Sequence, residues 1–176
     1  MNPIRRLRAD EIEVRAAQVA KNGQGKVYAN LLLYKDARCD QRLLDETFGP
    51  MNWQREHTII DGNLYCTVSI WDEEKRIWVS KQDVGTESNT EKEKGQASDS
   101  FKRACFNWGL GRELYTAPRI VVQLFEGEYK EKTFNNKTSL QMTQTFYVNS
   151  IEYDEDDGSI IGLVINDKKG TPRFKR

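Results

Sequence analysis

The chain has 176 residues with 27 Lys and Arg against 27 Asp and Glu, so its formal net charge at pH 7 is zero and bulk electrostatics announce no polyanionic partner. That length suits one domain, or one domain plus a small extension, with a core of useful size; two independent domains would be cramped. Charge is nevertheless segregated: residues 1–26 hold six cations and three acids, 126–157 hold eight acids and three lysines, and 168–176 hold five cations and no acid, as expected where one surface meets an anion and another meets solvent or a neighbour.

From Glu11 to Ala16 apolar and charged residues alternate, which reads as a half-buried strand; a helix through Ile12, Ala16 and Val19 is the rival, favoured by the Ala and Glu content. Asn22-Gly23-Gln24-Gly25 supplies a turn and KVYANLLLY a second strand, making 12–34 a β-hairpin. Asp36 is placed to cap a helix over 37–48, whose Cys39, Leu43, Leu44, Thr47 and Phe48 form a stripe and which Gly49-Pro50 ends. Three strands follow, Asn52–Ile60, Leu64–Trp71 and Ile77–Val84, joined by turns at Asp61-Gly62 and at Asp72 to Lys75. Leu64, Cys66, Val68 and Ile70 alternate with polar neighbours, so one face of the middle strand needs a cover.

Residues 94–109 are the obvious cover. Ala97, Phe101, Ala104, Cys105 and Trp108 recur on one helical face, and Lys102 and Arg103 then point away from it. A helix buried on one side and doubly cationic on the other holds charge toward a polyanion. The same spacing fits a plain solvated face with Asp99–Arg103 as an ordinary i,i+4 pair, and on spacing alone that reading stands ahead. The polar stretch Thr86–Glu93 reads as a loop or first helical turn. Beyond Pro118 come a strand at Ile120–Phe125, an irregular polar stretch from Glu126 to Thr143, and a hairpin pairing Thr145–Tyr153 with Ile160–Ile165 across an acidic turn.

Enzyme chemistry is poorly provided for. The single histidine, His57, sits in a strand without the partners that a nucleophilic constellation needs. Cys39, Cys66 and Cys105 are scattered, odd in number and set in apolar patterns, so they read as core thiols of a reducing cytosol rather than zinc ligands or disulfides. Gly23-Gln24-Gly25-Lys26 lacks the full phosphate-loop spacing. The run Asp154 to Asp157 is the seed of a divalent-metal nuclease reading, although consecutive carboxylates in a turn splay into solvent. No cofactor is implied. The start lacks the apolar run of a signal peptide and no eighteen consecutive residues are apolar, so the expectation is a cytoplasmic protein without a membrane partner.

The phrases LLDETFGPMNW, KQDVGTES and ASDSFKRACFNWGLG, with the order hairpin, helix, three strands and covering helix, resemble the single-strand annealing proteins of the Rad fifty-two family, nearest to the phage and prophage annealases. The likeness covers about Glu11 to Pro118. It implies an α+β fold, a β-hairpin, a helix, and a three-stranded antiparallel meander packed on one long helix, with an annealing core at 1–118; residues 119–176, outside the likeness, read from their own pattern as a C-terminal β-hairpin extension with a basic tail. It also implies ATP-independent binding of single-stranded DNA and annealing of complementary strands in homologous recombination and repair, in a bacterial host cell. Partners would be the DNA and its annealed duplex intermediate, further copies in a ring or helical filament, an exonuclease and a single-strand-binding protein.

Carried over by position, Lys102 and Arg103 match the family's groove cations, and Arg15 and Tyr34 match an arginine and a tyrosine beside the DNA backbone. Arg38, Arg42, Lys81, Lys92 and Lys94 are second-tier groove candidates. Phe106 and Asn63 depart from the pattern, standing where eukaryotic members carry further cations. Trp53, Trp71, Trp78, Trp108, Tyr65 and Phe48 read as packing residues rather than base-stacking platforms. The competing functions are a divalent-metal-dependent nuclease and an oligomeric scaffold that binds no DNA.

Overall fold

The computed structural model describes residues 4–86, 92–134 and 137–176. In chain order the elements are a 3-10 turn at Ala9–Glu11, β1 (Glu13–Lys21), β2 (Val27–Tyr34), α1 (Ala37–Phe48), β3 (Trp53–Ile60), β4 (Asn63–Asp72), β5 (Ile77–Val84), α2 (Lys92–Asn107), a 3-10 turn at Arg112–Thr116, β6 (Ile120–Leu124), β7 (Tyr129–Phe134), β8 (Lys137–Met142), β9 (Phe146–Tyr153), β10 (Ile160–Asp167) and β11 (Pro172–Lys175). They form two compact units, one of residues 1–6 and 35–112 and one of residues 7–34 and 113–176.

The first unit is built around β3, β4 and β5, an antiparallel sheet with β4 in the middle. Asp61 and Gly62 both take positive φ, 50° and 78°, the conformation a two-residue hairpin turn demands, and this fixes Ile60 opposite Asn63. The face carrying Cys66, Val68 and Ile70 is fully buried. α2 lies on it with Phe101, Ala104 and Cys105 inward, all at 0% exposure, and the Trp108 indole N–H donates to the Val68 carbonyl at 3.0 Å just past its end. α1 begins where Asp36 accepts the Cys39 amide at 2.8 Å and ends at Gly49, whose φ of 84° breaks the helix before Pro50.

β5 reaches α2 through Gly85. A Cβ built there would lie 2.3 Å from the Gln96 carbonyl oxygen and 2.8 Å from the Ser100 nitrogen, both backbone atoms that no rotamer change can move. Gly85→Ala is therefore expected to destabilise this unit by about 2 kcal/mol. Urea unfolding followed by tryptophan fluorescence reads the effect cleanly, because Trp53, Trp71, Trp78 and Trp108 all belong to this unit.

The second unit is a six-stranded sheet in the order β11-β10-β9-β1-β2-β6, nearly closed and barrel-like. Asn22 builds the β1–β2 turn, its side-chain oxygen accepting the amides of Gln24 and Lys26 at 3.0 and 2.9 Å. β2 buries Val27, Ala29 and Leu31, and Ile120, Val122, Leu124, Phe146, Val148, Leu163 and Ile165 complete that core. A separate two-stranded ribbon pairs β7 with β8.

This arrangement corrects the α+β expectation. Strands make up 48% of the chain and helices 20%, so the protein is mostly β, and its largest sheet is not a meander laid on a long helix. The N-terminal hairpin does not join β3 to β5; it joins four strands that follow Pro118, which are integral to the sheet rather than an extension. The physical reason is the apolar face of β2, which needs a cover of matching length. Three later strands offer alternating apolar faces, whereas α2 covers β4 and β5. The stretch 126–143, expected as irregular, contains β7 and β8, and Pro172–Lys175 adds β11 beyond the expected hairpin. Part of the expected loop at 86–93, residues 87–91, lies outside the described residues.

Candidate nucleic-acid interface

α2 presents its two adjacent cations away from the sheet. Arg103 is exposed and Lys102 half-exposed, because the residues on either side, Phe101 and Ala104, fill the buried face. Their surroundings differ. Arg103 donates from Nε to Asp83 on β5 at 3.2 Å, with half of its side chain exposed. The expected pair with Asp99 does not form; Asp99 accepts the amide and hydroxyl of Thr86 at 2.9 and 3.0 Å. Lys102 makes no hydrogen bond or ion pair among the described residues.

The end of α2 gathers further cations. Lys81 on β5 donates to the Asn107 carbonyl at 2.8 Å and lies 4.4 Å from the centre of the Trp108 ring. Arg112 donates to the Phe106 and Asn107 carbonyls, both at 2.8 Å. Both therefore satisfy last-turn carbonyls that a helix leaves without partners, where positive charge is favoured. Asn107 donates to Asp83 at 3.4 Å, so three cations, Lys81, Arg103 and Arg112, share a network with one carboxylate. Arg112 was missed in the sequence; its only signal is its position directly after the glycine-bounded end of the helix.

Arg38 and Arg42 lie one turn apart on α1 and are exposed. Arg38 pairs with Asp36 at 3.0 Å with 81% of its side chain in solvent. Despite the opposing effect of burial, the Cys39 amide and the two guanidinium groups hold the Asp36 carboxyl below its ordinary range. Lys92 and Lys94 belong to the first turn of α2, and their side chains fall outside the described residues. Arg15 and Tyr34 belong to the second unit. There the Arg15 guanidinium stacks 3.7 Å from the centre of the Tyr34 ring, and burial together with the hydrogen bond to Glu13 raises the Tyr34 hydroxyl above its ordinary pKa. Thus Lys81 and Arg103 share one network, Arg38 and Arg42 share Asp36, and Arg15 and Tyr34 form a pair.

Other candidates are occupied structurally. The His57 ring meets the Ala97 carbonyl at 3.2 Å. Burial pushes the Cys66 thiol up to about 11 and raises Cys105 further, with the Asp40 charge adding to it, so neither is a nucleophile at neutral pH. Asp154 spends one carboxylate oxygen on the amides of Asp156 and Asp157, at 2.9 and 3.2 Å, and among the described residues no three His, Cys, Asp or Glu side chains are placed to hold a metal ion. Among the described residues no helix is long and apolar enough to cross a membrane. No protein-family model matches the chain, and neither does any curated protein or solved structure.

Proposed function

We propose that this chain binds single-stranded DNA through its phosphates and anneals complementary strands without ATP, acting in recombination and repair as an assembly of identical copies. The observation that carries this is the outward pair on α2, in which Lys102 has no ion-pair partner among the described residues and the half-exposed Arg103 is paired with a partly buried carboxylate, Asp83. A surface pair of that kind is worth about 1 kcal/mol, so exchanging Asp83 for a phosphate costs Arg103 little. Lys81 and Arg112 add charge at the helix end while their own hydrogen bonds go to carbonyl oxygens.

Annealing requires that phosphates be neutralised while base edges stay free to pair, which calls for Lys and Arg on the backbone and no base code. A few cations per copy bind weakly, and repetition around an oligomer converts that into tight, salt-sensitive binding through effective concentration. The motif likeness to the Rad fifty-two annealing proteins supports the same reading, and the reading accommodates a net charge of zero, because only one face must be basic.

The test is annealing of complementary dye-labelled oligonucleotides without nucleotide, at low and high salt, for wild type and for Lys102→Ala with Arg103→Ala. Wild type is expected to anneal at a rate that falls steeply with salt, and the double variant to lose at least about tenfold. A double variant that keeps its tryptophan unfolding transition and anneals like wild type overturns the proposal. Light scattering that finds only monomer, with and without DNA, overturns the assembly.

A further inference from the structure

β5 is an edge strand, and it meets α2 along a polar seam. On β5, Lys81 stands opposite Val68 and Asp83 opposite Cys66, so both project toward the side that α2 covers. On α2, Arg103 and Asn107 are four residues apart and share a flank. Asp83 is met by both. The Arg103 Nε donates to its Oδ1 at 3.2 Å and the Asn107 side-chain nitrogen to its Oδ2 at 3.4 Å, one donor to each oxygen. The same amide nitrogen also donates to the Gln82 carbonyl at 3.2 Å, which aims it along the seam.

Both contacts are long for hydrogen bonds to an ionised group, which favour about 2.7–2.9 Å. Arg103 commits only Nε: among the described residues its two terminal nitrogens have no hydrogen-bond partner, and half of its side chain is in solvent. Lys81 and Arg112 converge beside them on the Asn107 carbonyl, both at 2.8 Å. Among the described residues Asp83 is the one carboxylate that these donors touch. A guanidinium and an amide that hold the two oxygens of a singly charged group form an oxyanion site, and a phosphodiester presents the same pattern, two unesterified oxygens sharing one negative charge.

We propose that this seam is a seat for one phosphodiester of the bound strand, with Arg103 and Asn107 as its ligands and Asp83 as an internal stand-in that swings aside before the seat fills. The inference rests on the reading of α2 as the phosphate-binding surface and adds to it one residue that helps and one that competes. Rotation about the Asp83 Cα–Cβ bond carries the carboxylate toward solvent, where 24% of that side chain already lies, while the backbone stays paired with β4. The phosphate then takes the hydrogen bonds of Arg103 and Asn107, and Lys81 and Arg112 add positive charge next to it. Affinity is set by two anions competing for one set of donors, and the seat reads no base, as annealing requires.

Binding of fluorescent oligothymidylate to the full chain tests this. Asp83→Ala is expected to bind about fivefold tighter than wild type, because a surface ion pair no longer has to be broken. Asp83→Asn keeps the shape and the contact to the Val84 amide, and is expected to move the same way. Asp99→Asn removes a carboxylate that touches Thr86 instead of Arg103, and is expected to change affinity by less than about twofold. Asn107→Ala is expected to lose about threefold, and Asp83→Ala is expected to gain nothing when combined with Arg103→Gln. Equal gains from Asp83→Ala and Asp99→Asn, or a gain from Asp83→Ala that survives Arg103→Gln, overturn the seat. A readout without DNA separates the two proposals: in an NMR titration of Asp83→Ala with dimethyl phosphate, the Arg103 Nε and Asn107 side-chain amide signals are expected to move together. If they do and no oligonucleotide is annealed, the seat stands and the annealing reading falls. If the Lys102/Arg103 double variant loses annealing while Asp83→Ala and Asn107→Ala bind like wild type, the seat falls and the annealing reading stands.

Discussion

Phe101→Ala is expected to lower the stability of the first unit by about 4 kcal/mol, a large share of what a domain has to lose. The ring is fully buried in the face that α2 lays on the sheet. It stacks against Trp53 with centroids 6.2 Å apart, and the Arg55 guanidinium sits 4.7 Å above its centre. Truncation removes the transfer free energy of the ring, leaves a cavity between helix and sheet that rigid neighbours cannot collapse into, and strips Arg55 of the π face it covers. Phe101→Leu keeps most of the volume and is expected to cost about 1.5 kcal/mol. Both values come from urea titrations monitored by tryptophan emission, with Trp53 the nearest reporter. A loss below 1 kcal/mol for the alanine variant would mean that α2 is not anchored through this face.

Phe101 also shows what was legible beforehand and what was not. Its helix, and the outward direction of Lys102 and Arg103, follow from apolar spacing, because a 3.6-residue period fixes which side is buried whatever the partner is. Likewise β4 is visible in the alternation of Cys66, Val68 and Ile70, and α1 in its punctuation by Asp36 and Gly49-Pro50. Alternation names a face and not a neighbour. Nothing in Val27, Ala29 and Leu31 distinguishes a helical cover from the strands Ile120–Leu124 and Ile160–Asp167, and this is where the architecture departs from the expectation. The ribbon β7–β8 gave no signal because Lys130, Glu131, Lys132, Thr133, Thr138 and Ser139 are exposed on both faces, leaving no apolar period to read. Around the cations the same limit holds. Asp83, which pairs with Arg103, approaches from β5, twenty residues away in sequence, while the local Asp99 is the visible candidate and is engaged elsewhere.

Arg173 falls in the basic stretch 168–176, and its burial leads to a second large effect. Its guanidinium forms a two-pronged pair with Glu128, at 2.8 and 2.9 Å, approaches Asp167 at 3.3 Å, and donates to the Gln123 carbonyl at 2.6 Å. It lies between the rings of Phe125 and Phe146, 5.0 and 5.5 Å from their centres. Because Arg173 is on β11 and Gln123 on β6, these contacts join the two ends of the six-stranded sheet. Arg173→Ala leaves two carboxylates largely buried, at 17% and 8% side-chain exposure, without their cation, and is expected to cost about 3 kcal/mol. Arg173→Lys recovers only part of it, since an ammonium cannot span both carboxylate oxygens and the carbonyl.

The same cluster sets an acid limit. The paired guanidinium, helped by the Phe125 amide and Gln144, holds the Glu128 carboxyl down at about 2, against an ordinary value of 4.5. A carboxyl depressed in the folded state stabilises it fully above the unfolded pKa and loses that contribution as pH falls toward the folded one. Wild type is therefore expected to lose roughly 2 kcal/mol from this group between pH 4.5 and 2, read as faster amide exchange at Ile165 and Phe174, which pair across β10 and β11. Glu128→Gln is expected to start lower at neutral pH and to lack that part of the acid slope. An acid limb of unchanged steepness in Glu128→Gln would show that the clasp does not close the sheet.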